Sequence, residues 1–168
     1  MKVLLPCDCL VLMVGISGCG KSSFAADHFK PTEIVSSDHY RAVVCDDAND
    51  QSASADAFAL VRSIVARRLR RGRLTVLDAT NLLAQSRQVP IALALHAQRP
   101  VAAVVLDLPL ELCLARNAAR ARQVPEAVVR EQHRNLQAGA ASLHKQCAMV
   151  VALSTPAEVS SLTFERDH

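Results

Sequence analysis

The densest concentration of chemistry in the sequence is Gly15-Ile-Ser-Gly-Cys-Gly-Lys21-Ser22, a complete G-x-x-x-x-G-K-[ST] pattern. Three of the chain's five glycines fall in it, and at average residue usage the pattern arises by chance about once in a hundred chains of this length. Glycines there let backbone N–H groups curl around phosphate oxygens without Cβ collision. A helix starting at the end of the loop points its positive pole at the same anion. The residues expected to hold a nucleoside triphosphate, ATP or another, are Gly15, Ser17, Gly18, Cys19, Gly20, Lys21, Ser22 and Ser23. Lys21 should reach the β- and γ-phosphates, and the Ser22 hydroxyl should sit on Mg²⁺.

A triphosphate cradle does not say what receives the γ-phosphoryl group. No guanine-reading Asn-Lys-x-Asp occurs in the sequence, and the chain is short for an ATPase that drives motion. Transfer to an acceptor needs a base, positive charge over the moving group and an acceptor surface. Val35-Ser-Ser-Asp38-His-Tyr-Arg41 closes the expected second strand, and ligands of open α/β sheets sit at such strand ends. Asp38 is placed to take a proton from an acceptor hydroxyl, and Arg41 to clamp an acidic acceptor, such as a phosphodiester, with two prongs. The plainer alternative is that Asp38 caps a turn and Arg41 is solvated.

Leu74-Thr-Val-Leu-Asp78-Ala-Thr-Asn81 ends a third strand on a carboxylate. Such an aspartate orders a water around the metal, although Asp, Thr and Asn also cap helices and form turns. Late in the chain, Arg116 and Arg120 lie four apart on an expected helix, with Arg122 beginning the loop before Pro125. Residues so spaced share a helix face, and the three guanidinium groups read as a lid that closes over the triphosphate. A solvated arginine face is the competing reading.

These residues need a scaffold, and the apolar pattern supplies one. Strands are expected over 9–14, 33–36, 74–78, 101–108 and 148–153, with helices over 21–29, 56–71, 84–98, 110–121 and 126–138. Gly72 suits the end of the second helix, while Pro109 and Pro125 suit helix starts. Continuous apolar strands alternating with helices predict a three-layer α/β sandwich around a parallel sheet. Residues 1–15 read as a first buried strand rather than a secretion signal, because Pro6 and Asp8 interrupt the apolar run. Residues 158–165 read as a short terminal strand, and the stop directly after it suggests a module cut from a longer chain. The 168 residues fit a single domain.

Composition removes other classes. An apolar fraction of 51% excludes a disordered chain, and no uninterrupted apolar run reaches the roughly 18 residues of a membrane span. The six cysteines include no CxxC pair, which favours reduced thiols in a cytoplasmic protein. The run Arg67-Arg-Leu-Arg-Arg-Gly-Arg73 reads as a solvated helix end, where cations suit the dipole. Asp46-Asp-Ala-Asn-Asp50 lacks the features of a calcium loop and reads as a loop. With no tryptophan and one tyrosine, the acceptor contact is expected to centre on one terminal nucleotide.

Taken together, residues 15–22, the stretch Phe29-Lys-Pro-Thr-Glu-Ile-Val-Ser-Ser-Asp38, Asp46-Asp-Ala-Asn-Asp-Gln51, residues 74–81, Arg116-Asn117 with Arg120 and Arg122, and Phe164-Glu-Arg166 resemble the 5′-hydroxyl polynucleotide kinase domain of bacterial polynucleotide kinase–phosphatases, which repair RNA. The resemblance runs nearly end to end. It implies a phosphate-loop kinase that moves the γ-phosphoryl group of an NTP, with Mg²⁺, to the 5′-OH end of RNA or DNA. It also implies that Asp38 is the general base, that Arg41 holds a phosphate of the terminal nucleotide, and that the lid arginines contact the donor phosphates. Members carry this module ahead of a phosphatase and a nucleotidyltransferase, with an RNA 3′-terminal ribose methyltransferase as a further partner. Read from residues alone, a small-molecule kinase and a nucleotide-binding switch stay open as alternatives. Arg41 beside Asp38 speaks for an anionic acceptor over a neutral sugar.

Overall fold

Two runs of the sequence, Leu10–Gly15 and Val101–Leu106, are buried at every residue, which requires a sheet covered on both faces. A computed structural model, which describes residues 1–167, shows that sheet. The chain runs through β1 (Lys2–Pro6), β2 (Leu10–Gly15), α1 (Lys21–His28), β3 (Ile34–Ser36) and α2 (Ser37–Cys45). A 3₁₀ turn at Gln51–Ala53 leads into α3 (Ser54–Arg70), β4 (Thr75–Asp78), α4 (Ala84–His96), β5 (Val101–Leu106) and α5 (Leu110–Ala118). Then follow α6 (Glu126–Gln146), β6 (Met149–Leu153), α7 (Pro156–Ser161) and β7 (Thr163–Asp167). Five strands form a parallel sheet in the order β3-β4-β2-β5-β6. Strand order reverses beside β2, so the crevice beyond its carboxyl end is the expected ligand position.

The expected three-layer sandwich is present, with several local corrections. Residues 1–15 form two strands rather than one. Asp8 turns aside to pair with Arg99, and β1 lies parallel to β7 in a separate two-stranded sheet. Residues 158–161 are helical, not extended: Thr155 and Glu158 make a reciprocal capping box with a proline in the first turn, which starts α7 despite the β-branched sequence. The strand begins only at Thr163. Helix α2 was not expected; it follows β3 without a loop because the Ser36 hydroxyl accepts from the His39 N–H. Helix α5 stops at Ala118, three residues before the expected end at Ala121, so Arg120 lies beyond it. Helix α6 instead continues past 138 to Gln146. Gly72, at φ +61°, ends α3 as expected.

Arg87 on α4 is fully buried and faces no carboxylate among the described residues. Its guanidinium donates to the carbonyls of Asn81 at 2.7 Å, Leu82 at 2.8 Å and Gly139 at 2.9 Å, and to Gln146 Oε1 and Ser142 Oγ. These bonds tie α6 to the loop after β4. Gly139 permits the approach, since a Cβ there would overlap the Leu82 carbonyl oxygen. Arg87→Ala leaves the Asn81 and Leu82 carbonyls without their donor, while the Gly139 carbonyl keeps the Ser142 hydroxyl. At about 1–3 kcal/mol per unsatisfied group, the expected loss is roughly 2 kcal/mol or more, read as a lower denaturant midpoint. A midpoint equal to that of wild type would show that water replaces the guanidinium without cost.

Candidate active site

The loop between β2 and α1 has the geometry that its glycines allow. Gly18 and Gly20 sit at φ +82° and +94°, where side chains are strained. A Cβ at Gly18 would overlap the carbonyl oxygen of Cys113, so the loop packs directly on α5. At Gly15 a Cβ would stand 2.6 Å from Cys19 Sγ. Lys21, 9% exposed, donates to the Ile16 carbonyl at 2.9 Å within the loop. No side chain caps α1, leaving its first turn open to a cleft of about 790 Å³. Ser17, Gly18, Gly20, Lys21, Ser22 and Ser23 line this cleft, while Gly15 and Cys19 form the buried layer behind it.

Ser22 Oγ donates to Asp78 Oδ2 at 2.7 Å, which joins the carboxylate at the end of β4 to the phosphate loop. Burial pushes the Asp78 carboxyl up, and the Ser22 hydrogen bond and the Lys21 charge only partly offset it. Thr80 lines the same cleft and accepts the Gly15 N–H at 3.1 Å through its carbonyl. Asn81, at φ 49°, turns inward to donate to the Met13 carbonyl and is structural. The hard oxygens of Ser22 and Asp78 fit Mg²⁺, which takes one or two protein oxygens beside phosphates and water.

Across the cleft, Asp38 in the first turn of α2 receives two guanidinium groups. Arg41 Nη1 donates to Oδ1 and Arg122 Nη1 to Oδ2, each at 2.7 Å. Partial burial would raise the Asp38 carboxyl, but the hydrogen bonds and charges of Arg122 and Arg41 outweigh it and hold it below the ordinary value. Arg41 is buried and steadied by Ser54 Oγ and the Ala48 carbonyl. Among the described residues, no hydrogen bond engages its Nη2, which leaves one nitrogen for a ligand.

The lid arginines divide between the two halves. Arg116 donates to the Cys19 carbonyl at 3.5 Å, over the phosphate loop. Arg120 lines the cleft from the loop beyond α5. Arg122 lies on the opposite side of the cleft, where it pairs with Asp38 and hydrogen-bonds Asn49. All the expected charged residues therefore share one cleft, including Lys21, Asp38, Arg41, Asp78, Arg116, Arg120 and Arg122.

Sequence reasoning missed the residues that hold this arrangement. Buried Asn117 donates to the Val124 carbonyl at 2.7 Å and accepts the Val124 N–H at 3.0 Å, closing the lid loop with one amide. Gln132 on α6 accepts the Ser17 N–H at 2.8 Å. Phe58 and Val128 expose apolar surface to the cleft, a platform that the aromatic count did not suggest. Helical spacing carries no sign of these pairings, which span loops or distant helices; only the Arg-Asn pair at 116–117 hinted at Asn117.

A parallel sheet with a phosphate loop at its switch point defines the fold of phosphate-loop kinases. The chain belongs to the AAA domain family, whose model matches residues 10–139. No curated protein matches the sequence. Among solved structures, the chain is similar to a component of the Pnkp1/Rnl/Hen1 RNA repair complex, with a TM-score of 0.70 and 22% identity over 83% of this chain and 47% of that one. It thus spans about half of that component. A sugar kinase from Janibacter sp. HTCC2649 gives a TM-score of 0.59 and 18% identity over 90% of this chain and 89% of that one. A putative kinase from Chloroflexus aurantiacus gives 0.60 and 11% over 88% of each. Among the described residues, no helix is long and apolar enough to cross a membrane.

Asn117→Ala removes two hydrogen bonds from the lid loop, about 2 kcal/mol together. Local opening should then rise roughly 30-fold and speed tryptic cleavage after Arg120 or Arg122 in proportion. Cleavage at the wild-type rate would mean that other contacts hold the loop.

Proposed function

We propose that this chain transfers the γ-phosphoryl group of ATP or another NTP to the 5′-OH end of an RNA or DNA strand. The observation that carries this reading is the pairing of Asp38 with buried Arg41 in the cleft that holds Lys21 and Ser22. A base beside a fixed guanidinium with a free nitrogen suits a hydroxyl flanked by a phosphodiester, whereas a neutral sugar needs no such clamp. Phe58 and Val128 add an apolar wall against which a terminal base can lie.

In this reading the phosphate loop and α1 grip the triphosphate, and Lys21 turns from Ile16 to the β- and γ-oxygens. Ser22 would hold Mg²⁺ while Asp78 orders its water, and the ion would neutralise phosphate charge. Asp38 accepts the proton of the 5′-OH. The arginines beside it keep it ionised, the form a base requires, and transfer of Arg122 from Asp38 to phosphate would raise its basicity. Arg116 and Arg120 serve the donor phosphates.

The similarity to the repair-complex component, of which this chain spans 47%, supports a place as the N-terminal module of a longer protein. Phosphatase and nucleotidyltransferase modules and a ribose methyltransferase partner would then act on the same RNA. The six free thiols suit a cytoplasmic location in a bacterium. A small-molecule kinase is the second reading, favoured by the near full-length overlap with the sugar kinase fold.

The test is transfer from γ-labelled ATP, with Mg²⁺, to 5′-OH oligonucleotides, 5′-phosphorylated controls and metabolites. Label should reach only 5′-OH strands. Lys21→Ala should abolish transfer, and Asp38→Asn should lower turnover roughly 10²-fold with ATP affinity kept. Arg41→Ala should raise KM for the strand roughly 10- to 150-fold, through loss of about 1.5–3 kcal/mol, while Arg116→Ala and Arg120→Ala depress turnover or ATP binding. Label entering a metabolite but no oligonucleotide overturns the polynucleotide reading.

A further inference from the structure

The run 67–73, expected as a solvated helix end, builds something more specific. Lys30, Arg67, Arg68, Arg71 and Arg73, with Thr32 and Glu33, line a cleft of about 540 Å³, and Arg67, Arg70 and Arg71 line an adjoining hollow. The cleft sits at the amino ends of β3 and β4, whereas Asp38 and Asp78 mark their carboxyl ends. The helix dipole supplies about half an elementary negative charge, too little to account for five arginines and a lysine. Nearby acidic groups do not balance them either. Glu33 is held by Arg166, and Asp8 by Arg99. Among the described residues, none of Lys30, Arg67, Arg68, Arg70, Arg71 and Arg73 forms an ion pair.

Helix α3 connects this surface to the candidate active site. Its first turns carry Ser54, which steadies Arg41, and Phe58, which lines the acceptor side of the cleft. Its last turns carry the arginines. At 1.5 Å per residue, Arg67 and Arg71 lie roughly 14 and 20 Å along the axis from Phe58. A strand with one phosphate per about 3.4 Å covers that distance in roughly four to six nucleotides.

We propose that the basic end of α3 is a second anchor for the nucleic-acid strand, gripping phosphates about four to six nucleotides from the 5′ end held at Asp38. This inference rests on the polynucleotide reading of the acceptor cleft. The surface suits a sugar–phosphate backbone rather than a protein, because it is rich in exposed guanidinium groups and has neither aromatic nor large apolar side chains in its lining. Protein interfaces bury such side chains at their centre and exclude charge there. Without stacking residues, binding there is independent of sequence and carried by charge.

The experiment measures binding of 5′-phosphorylated oligonucleotides of 4 and 20 nucleotides by fluorescence anisotropy over a salt series, beside label transfer to their 5′-OH forms. The triple variant Arg67→Gln, Arg71→Gln, Arg73→Gln changes exposed side chains only; Arg68, which donates to the Leu74 carbonyl, is left alone. For the 20-mer, affinity should fall roughly 10- to 100-fold and the salt slope should drop by about 2. Binding and phosphorylation of the 4-mer should not change. Replacement of the same three arginines by lysine should keep the slope, which shows that charge and not folding is read. An unchanged 20-mer affinity and slope in the glutamine variant overturns the anchor. A polyglutamate peptide that binds wild type as tightly as the 20-mer, with the same dependence on the three arginines, overturns the nucleic-acid assignment in favour of an acidic protein. Anchor-dependent binding of the 20-mer without label transfer to any 5′-OH end would instead uphold the surface and sink the kinase reading.

Discussion

A buried guanidinium without a counter-charge sets the reference frame of the active cleft. Arg87 takes its compensation from carbonyl dipoles and two polar side chains, and burial still lowers its pKa from the ordinary arginine value. Desolvating a charge is tolerable only when its donors are used. The donors can all be used only if α6 stays on the loop after β4, which the Gly139 contact makes possible. From that junction two connections run to the phosphate loop. The Thr80 carbonyl accepts the Gly15 N–H, and Gln132 accepts the Ser17 N–H. The loop is therefore held at its first turn by elements that Arg87 itself fixes together, although Arg87 touches neither cleft nor loop.

Within the cleft, environment drives two carboxylates in opposite directions. Asp78 is buried beside a hydroxyl and pushed up, while Asp38 is half-exposed between guanidinium groups and pulled down. Divergence of this kind separates roles. A carboxyl held down stays charged and can accept a proton; one pushed up by burial gains from any cation placed beside it. For Asp38 the sign is that of a depressed carboxylate: its ion pairs are present above the ordinary carboxylate range and are lost as the pH falls through the lowered value. At neutral pH Arg122 and Asp38 are thus bound to each other.

What the sequence made legible follows a physical division. The phosphate loop, Asp38 with Arg41, and Asp78 all sit at strand ends within a few residues of an apolar run, so local pattern and the switch-point rule place them. The parallel sheet covered on both faces follows from the same alternation. Residues joined by tertiary contact left no such mark. Arg87 looks like any polar residue on a helix until Gly139 and Ser142, more than 50 positions away, are known to face it. The end of α5 was misplaced because the amide of Asn117 takes up the Val124 backbone and turns the chain, an interaction that outweighs the helical propensity of the alanines around it. At α7, the serine and valine residues suggested a strand, whereas Thr155-Pro156 and Glu158 carried the stronger local signal.

That same turn at Asn117 explains how a short loop can address both halves of the cleft. Arg116 lies just before Asn117 and faces the phosphate loop; Arg122 lies two residues before Val124, the residue that Asn117 pins, and faces Asp38. Both ends of the loop meet at one amide, so its residues cannot drift apart independently as they would in an open linker. A displacement that carries Arg122 away from Asp38 must rearrange the backbone that also positions Arg120. The contact of Arg116 with the phosphate loop and that of Arg122 with Asp38 are consequently coupled through the covalent chain over a few residues. No long-range network is needed. The Asn117 amide, helped by the Gln123 amide on the Ala118 carbonyl, closes the loop and so joins Arg116, over the phosphate loop, to Arg122, on Asp38.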